Sequence, residues 1–168
     1  MGELVVSDTP GDELVSIGLG SCIGLALVDR ARSIAGLAHV MLPSASSDAA
    51  NDGQPGKYAD QAVPALVAQA EELGARKVRL EAVLVGGAQM FKLGGGSALD
   101  IGARNDAAVR EALAAARIPI RAEATGGSRG RTVRLHVGET RVTVKEAGGQ
   151  DSELFGGTGM RAAEVSRR

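Results

Sequence analysis

The chain has 168 residues, of which 44% are hydrophobic and only 2% aromatic, and its formal net charge is −1. This length suits one domain with a sizeable core, which Val, Leu, Ile and Ala must fill. The balanced charge and the scarcity of aromatic side chains argue against a nucleic-acid-binding protein. A single cysteine excludes an internal disulfide, and no Cys/His cluster has zinc-site spacing. We therefore expect no metal, no cofactor and a reducing, cytoplasmic compartment.

The first twelve residues are acidic and contain Pro10-Gly11, which predicts a loosely ordered segment over 1–12. The stretch Leu19-Gly20-Ser21-Cys22 has the shape of a lipoprotein cleavage box. Residues 1–21, however, contain no Lys or Arg, and acidic residues interrupt their apolar positions. We therefore expect neither a signal peptide nor a membrane-spanning segment.

The approach to the single cysteine is predicted to be a strand over Glu13–Ile17 that leads into a bend at Gly18-Leu19-Gly20. Glycines on either side of the leucine permit a sharp turn directly before the cysteine. Such a bend leaves backbone N–H groups unpaired, which is what an oxyanion hole requires. The candidate donors are the N–H groups of Gly20, Ser21 and Cys22.

Two apolar, β-prone segments follow, Ile23–Val28 and Ile34–Met41, and a polar stretch of hairpin-loop length separates them. If the last residue of the first segment faces Ser33, then Cys22 lies opposite His39. Opposed residues have Cβ atoms roughly 4.5–5.5 Å apart, whereas a slip of one residue would put them on opposite faces. This register predicts a Cys–His pair for nucleophilic catalysis.

The rest of the chain predicts helices and strands in a mixed α/β order. The predicted elements are a polar loop over Ser44–Gly56, a helix over Tyr58–Leu73 that contains Pro64, a strand over Val78–Val85, a Gly-rich loop over Lys92–Asp100, a helix over Asn105–Ala116, a strand over Ile120–Ala124, and a hairpin of Thr132–Val137 with Thr140–Lys145. We place one domain at 13–147 and expect a disordered tail over 148–168.

Two further features compete for a functional role. His136 lies in the late hairpin, and no local argument places it near Cys22. The stretch Gly126-Gly127-x-x-Gly130-Arg131 is similar to an anion-binding glycine loop. It lacks the Lys-Ser/Thr ending of a phosphate loop and precedes a strand, so we interpret it as a turn with a role in partner docking.

Seven short motifs follow one another along the chain: Gly18-Leu19-Gly20-Ser21-Cys22, Ala38-His39-Val40-Met41-Leu42-Pro43, Lys57-Tyr58-Ala59-Asp60, Gly86-Gly87-Ala88-Gln89-Met90-Phe91, Ile101-Gly102-Ala103-Arg104-Asn105, Ile118-Pro119-Ile120 and Gly126-Gly127-Ser128-Arg129-Gly130-Arg131. In this order they resemble the chemoreceptor glutamine deamidase family, CheD. The resemblance runs from about Leu14 to about Val144. It implies a single-domain α/β sandwich of layered sheets, mixed and antiparallel, with helices packed on one side.

The resemblance also implies roles for site residues. Cys22 is the expected nucleophile, and His39, rather than His136, is the expected general acid and base. The family pattern places a threonine six residues before the cysteine, where this chain has Ser16. Serine keeps the hydroxyl that orients the imidazole of His39, and it loses the stiffness of the β-branched side chain.

The implied reaction is hydrolysis of glutamine side-chain amides in chemotaxis receptors, through a thiolate–imidazolium pair and without a metal or organic cofactor. The implied partners are the cytoplasmic domains of the receptors and a CheC-type phosphatase, with no nucleic acid and no membrane insertion. Two alternatives stay open. One is a non-catalytic docking partner of the receptors or the phosphatase, and the other is a different thiol amidase or esterase.

Overall fold

The computed structural model describes residues 2–45, 53–90 and 100–156. Within them lie nine strands and two α-helices. These are β1 (Leu4–Ser7), β2 (Glu13–Leu19), β3 (Ile23–Asp29), β4 (Ile34–Val40), α1 (Ala59–Glu72), β5 (Glu81–Gly86), α2 (Ile101–Ala115), β6 (Ile120–Thr125), β7 (Arg131–His136), β8 (Arg141–Glu146) and β9 (Asp151–Phe155). The predicted loops over 44–56 and 92–100 and the predicted tail fall largely on residues 46–52, 91–99 and 157–168, outside the described residues.

The strands form two sheets. The first has the order β1-β4-β3-β5-β6, in which only the β5–β6 pair is parallel, and the second is the antiparallel sheet β2-β7-β8-β9. One apolar cluster joins α1 and α2 to the five-stranded sheet, and a second cluster joins the two sheets. The predicted fold class, a single α/β sandwich with its helices on one side, is confirmed.

The hairpin of β3 and β4 lies at the centre of this layered structure, and all seven residues of each strand are buried. Leu25 and Leu27 pack towards the helices, whereas Ala26 and Val28 pack towards the second sheet. Side chains of a strand alternate between the two faces, so a strand covered on both sides is apolar at every position. This explains why the two segments appear in the sequence as continuous apolar runs.

Both helices are single elements. Helix α1 continues through Pro64, an exposed residue in its interior, as the sequence predicts. Helix α2 begins four residues earlier than predicted because the carboxylate of Asp100 caps it, accepting a hydrogen bond from the Ala103 N–H at 2.9 Å. The earlier start places Asn105 inside the helix, on its buried face. Among the described residues, no helix is long and apolar enough to cross a membrane.

The prediction of loosely ordered ends is wrong for two segments. Strand β1 pairs with β4, with Leu4 opposite Ala38, and strand β9 pairs with β8. Both are edge strands, and β1 finds its partner about thirty residues away along the chain, a distance at which local sequence patterns carry no signal. These two segments are therefore ordered by their pairing with a neighbouring strand, β4 or β8.

Leu66 of α1 tests the helix-to-sheet packing. Its side chain is fully buried in the cluster beneath the helices, whereas Leu73, at the end of the same helix, is 38% exposed. We expect Leu66→Ala to lower the free energy of unfolding by about 2–5 kcal/mol because it leaves a cavity. Leu73→Ala should cost only about 0.5 kcal/mol. Urea denaturation measures both, and equal losses would contradict the packing described.

Candidate active site

The β3–β4 hairpin places Cys22 and His39 on the same face of the five-stranded sheet. The observed register pairs Gly24 with His39 and Asp29 with Ile34. Cys22 precedes β3 by one residue, so it lies diagonally from His39 rather than directly opposite. Diagonal neighbours on one face have Cα atoms roughly 7–8 Å apart, with Cβ atoms somewhat closer.

The predicted register is therefore wrong by two residues, and the cause lies at the other end of the hairpin. Asp29 was predicted to be in the loop, but it ends β3 with its carboxylate fully buried and bound by Arg79, with an Nη2–Oδ2 distance of 2.8 Å. Ser33, predicted to pair with Val28, has a φ of 51° and lies in the loop instead. Because a shift of two residues preserves the face, the predicted juxtaposition of thiol and imidazole is retained.

The site faces the second sheet. Cys22 packs against the cluster between the sheets. A Cβ atom on Gly24, opposite His39, would lie 2.8 Å from Leu19 Cδ1 and 3.0 Å from Val133 Cγ1. Glycine at this position therefore lets the two sheets approach closely beside the imidazole.

His39 is held at one nitrogen and unpaired at the other. Ser16, buried on β2 of the second sheet, has its Oγ 2.9 Å from His39 Nδ1. The Nε2 atom is buried and has no hydrogen-bond partner within the described residues. If Nδ1 carries the proton and donates it to the hydroxyl, Nε2 is left with a lone pair that can accept a proton.

His136 lies elsewhere. It is paired with Glu13 on β2, and its Nδ1 is 3.7 Å from Glu13 Oε2. The structure therefore brings Ser16 and His39 together on the face that carries Cys22, and it places His136 on β7 beside Glu13, which precedes Ser16 by three residues on β2.

Backbone carbonyls around the cysteine are held by hydrogen bonds. The carbonyl of Gly20 accepts from the Ala88 N–H at 2.7 Å, and that of Cys22 accepts from the Gly87 N–H at 2.9 Å. The carbonyl between them, of Ser21, accepts from Asn105 Nδ2 at 3.0 Å. Three consecutive peptide planes are therefore fixed in direction.

Two of the three backbone N–H groups of this bend make no hydrogen bond within the described residues. The N–H of Gly20 donates to the Gly18 carbonyl at 3.0 Å, so it is already used. Those of Ser21 and Cys22 have no hydrogen-bond acceptor among the residues that the structure describes. Of the three donors considered from the sequence, two are available to an oxyanion.

A glycine pair at the end of β5 supports the bend. Gly86 has a φ of +114°, and a Cβ atom there would lie 2.2 Å from the Cys22 carbonyl oxygen. Its own carbonyl accepts from the Gly126 N–H at 2.9 Å, and Arg131 Nη1 donates to the Gly126 carbonyl at 2.7 Å. The Gly126–Arg131 loop thus contributes to the packing behind the cysteine.

Burial shifts the pKa of the Cys22 thiol and the pKa of the His39 imidazole in opposite directions. It raises the pKa of the Cys22 thiol, and it lowers the pKa of His39, an effect that the carboxylate of Glu3 partly opposes. Both directions favour the neutral forms. Both shifts oppose the thiolate–imidazolium pair expected from the resemblance, and that pair stays a prediction.

Asn105 is the site residue that sequence reasoning missed. The sequence pattern predicts it only as the first residue of the helix over Asn105–Ala116. A usable signal was its spacing: positions 105, 109 and 113 share one helix face, and the latter two are Val109 and Leu113, both buried. A polar residue on an apolar stripe needs a buried partner.

A thiol, an imidazole oriented by a hydroxyl, and two free backbone N–H groups form an arrangement suited to thiol-dependent hydrolysis.

The family model for CheD chemotactic sensory transduction matches residues 41–146. The chain is 47% identical over 155 residues, 92% of its length and 94% of the relative's, to a Symbiobacterium thermophilum protein named "Probable chemoreceptor glutamine deamidase CheD". It is 44% identical over 149 residues, covering 88% and 91%, to a protein of the same name from Clostridium botulinum strain Hall. The chain belongs to the CheD family, which confirms the resemblance seen in its motifs.

The charge state of Cys22 is testable by alkylation. We expect the iodoacetamide reaction to rise with pH through a midpoint above about 8.5, the ordinary cysteine value, because burial opposes ionisation. His39→Ala should move this midpoint little, since a neutral imidazole does not stabilise a thiolate. Cys22 is the only cysteine, so mass spectrometry of the alkylated protein reports on it alone. Full reactivity already at neutral pH, lost in His39→Ala, would instead indicate a resting ion pair.

Proposed function

We propose that this protein is a glutamine deamidase that hydrolyses side-chain amides in the cytoplasmic domains of chemotaxis receptors, giving glutamate and ammonia. The observation that carries the proposal is the hydrogen bond between Ser16 Oγ and His39 Nδ1, which leaves Nε2 without a partner among the described residues, on the face that carries Cys22. The substrate class follows from membership of the CheD family and from the names of its relatives.

Attack begins from the neutral pair. His39 Nδ1–H donates to Ser16 Oγ, and Nε2 takes the thiol proton as Cys22 Sγ attacks the carboxamide carbon. The high thiol pKa that burial imposes makes the emerging thiolate a stronger nucleophile. The oxyanion of the tetrahedral intermediate accepts hydrogen bonds from the backbone N–H groups of Ser21 and Cys22.

Collapse of this intermediate requires a proton on the leaving nitrogen. The imidazolium of His39 supplies it, and burial makes that imidazolium a stronger acid than usual because it lowers the pKa of His39. Ammonia leaves and a thioester to Cys22 remains. His39 then takes a proton from a water molecule that attacks the thioester, and glutamate is released as the thiol is restored.

The receptor substrate implies a cytoplasmic location, because the glutamines in question lie on the cytoplasmic part of the receptors. A CheC-type phosphatase as a regulatory partner is part of the same proposal and rests on the family resemblance alone.

The reaction is tested by incubating a receptor cytoplasmic fragment with the protein or with Cys22→Ala. We expect a gain of about one dalton, the mass difference between an amide and an acid, at specific glutamines with the wild type only. Peptide mass spectrometry locates these positions. Stable binding of the fragment without any mass change would support the docking protein instead, and loss of receptor methyl esters alone would support an esterase.

Ser16 is tested by a matched pair of variants. Ser16→Ala removes the partner of His39 Nδ1 and should lower kcat for deamidation roughly 3- to 10-fold, the value of one net hydrogen bond. Ser16→Thr keeps the hydroxyl and matches the family pattern, so kcat should stay within about threefold of the wild type. Thermal unfolding of both variants provides the stability control. A similar loss of kcat in both variants would show that the hydroxyl is not what the site uses.

A further inference from the structure

The side-chain amide of Asn105 forms hydrogen bonds both to the bend before Cys22 and to the residue that follows the strand carrying His39. It is fully buried on α2, and its Nδ2 donates to the Ser21 carbonyl at 3.0 Å and to the Met41 carbonyl at 2.9 Å. Ser21 directly precedes Cys22, and Met41 follows His39 by two residues. A single NH₂ group therefore spans from the nucleophile's bend to the end of the strand that carries the imidazole.

The orientation of this amide is fixed by its partners. A flipped amide would place Oδ1 against two carbonyl oxygens, so the nitrogen must face Ser21 and Met41. In this orientation Oδ1 is buried and has no hydrogen-bond partner in the part of the chain that the structure describes. An unpaired buried oxygen is destabilising. Stability alone therefore does not account for asparagine at this position.

The bond to Ser21 bears directly on the oxyanion donor. The Ser21 carbonyl and the Cys22 N–H belong to one planar peptide unit, and no peptide bond in the described residues is cis. In a trans peptide the N–H points away from the C=O, so a donor that holds the oxygen also sets the direction of the N–H. We propose that Asn105 is a positioning residue that aims the Cys22 N–H at the oxyanion while holding the His39 strand in register with it.

Helix α2 is built to hold this amide firmly. A Cβ atom on Gly102 would lie 2.5 Å from the Gly87 carbonyl oxygen, so the first turn of the helix presses against the segment that supports the bend. Gly87 is itself the donor to the Cys22 carbonyl. Asn105 therefore acts from a helix that packs directly against the segment supporting the bend, as precise positioning requires.

This inference deepens the proposed function and rests on it for the reaction, but it can be tested apart from the receptor substrate. p-Nitrophenyl acetate acylates a thiol: Sγ attacks the ester carbon, an oxyanion forms, and p-nitrophenolate leaves as the thioester forms. Iodoacetamide alkylates the same Sγ by displacing iodide, with no oxyanion. The ratio of the two rate constants thus isolates the oxyanion donors.

We expect Asn105→Ala to lower the acylation rate roughly 10- to 100-fold, since a misdirected donor loses most of its effect, and to leave alkylation within about threefold. Asn105→Asp has the same shape without the NH₂ donors, and its ratio should fall similarly at neutral pH. As the pH is lowered, its ratio relative to the wild type should partly recover, because a protonated carboxyl can again donate to one carbonyl. If Asn105→Ala does not fold, Asn105→Asp carries the same test.

Val109→Ala is the matched control. It lies one turn along the same buried face of α2, and it weakens the core without removing a hydrogen bond to either carbonyl. Its acylation-to-alkylation ratio should equal that of the wild type even where thermal unfolding shows a comparable loss of stability. A wild-type ratio in both Asn105 variants, or the same fall in Val109→Ala, would overturn the inference.

Deamidation of the receptor fragment is measured in parallel so that the two proposals fail separately. A wild-type protein that is acylated but does not deamidate the receptor fragment would refute the proposed function. The role of Asn105 would then be decided by the acylation-to-alkylation ratio of its variants alone. A wild-type protein that alkylates but does not acylate would overturn the oxyanion donor at Cys22, and the role of Asn105 with it.

Discussion

The site depends on the packing of other elements against both faces of the β3–β4 hairpin. Helices pack on one face and the second sheet packs on the other, so His39 points into the gap between two sheets. A polar ring in such a gap is stabilised by a hydrogen-bond partner, and for the Nδ1 atom of His39 the opposing sheet provides one. Ser16 on β2 supplies it. The orientation of the imidazole is therefore a product of sandwich packing as much as of its own strand.

The groups that hydrogen-bond directly to His39 and to the bend before Cys22 are neutral: a hydroxyl, a carboxamide and peptide N–H groups. The ion pair between the buried carboxylate of Asp29 and the partly exposed Arg79 lies at the far end of the strands. Fixed dipoles in a dry site stabilise a developing charge without needing to reorganise. A site of this type suits a neutral amide substrate, for which charge appears only during the reaction.

Much of the fold and part of the site follow from sequence patterns. The apolar runs predicted the central hairpin, and its period-two alternation kept Cys22 and His39 on one face although the register was off by two. That error came from a carboxylate that pairs with Arg79, fifty residues away, and no local pattern records such a contact. Strand β1 was not predicted for a similar reason, because this segment is ordered by its pairing with the distant strand β4. The bonds of Asn105 join three segments distant in sequence, so only its polar character on an apolar face hinted at them.

The chain changes sheets at the site. β2 belongs to the four-stranded sheet and carries Ser16, a β-bulge follows between Ser16 and Leu19, and by Ile23 the chain has entered the five-stranded sheet. Cys22 thus lies on the only covalent crossing between β2 and β3, next to the non-covalent link from Ser16 to His39. Any sliding of one sheet over the other would strain both links together. The alignment of the two layers and the geometry of the candidate site are therefore coupled, so a shift of one sheet over the other would also separate Ser16 from His39.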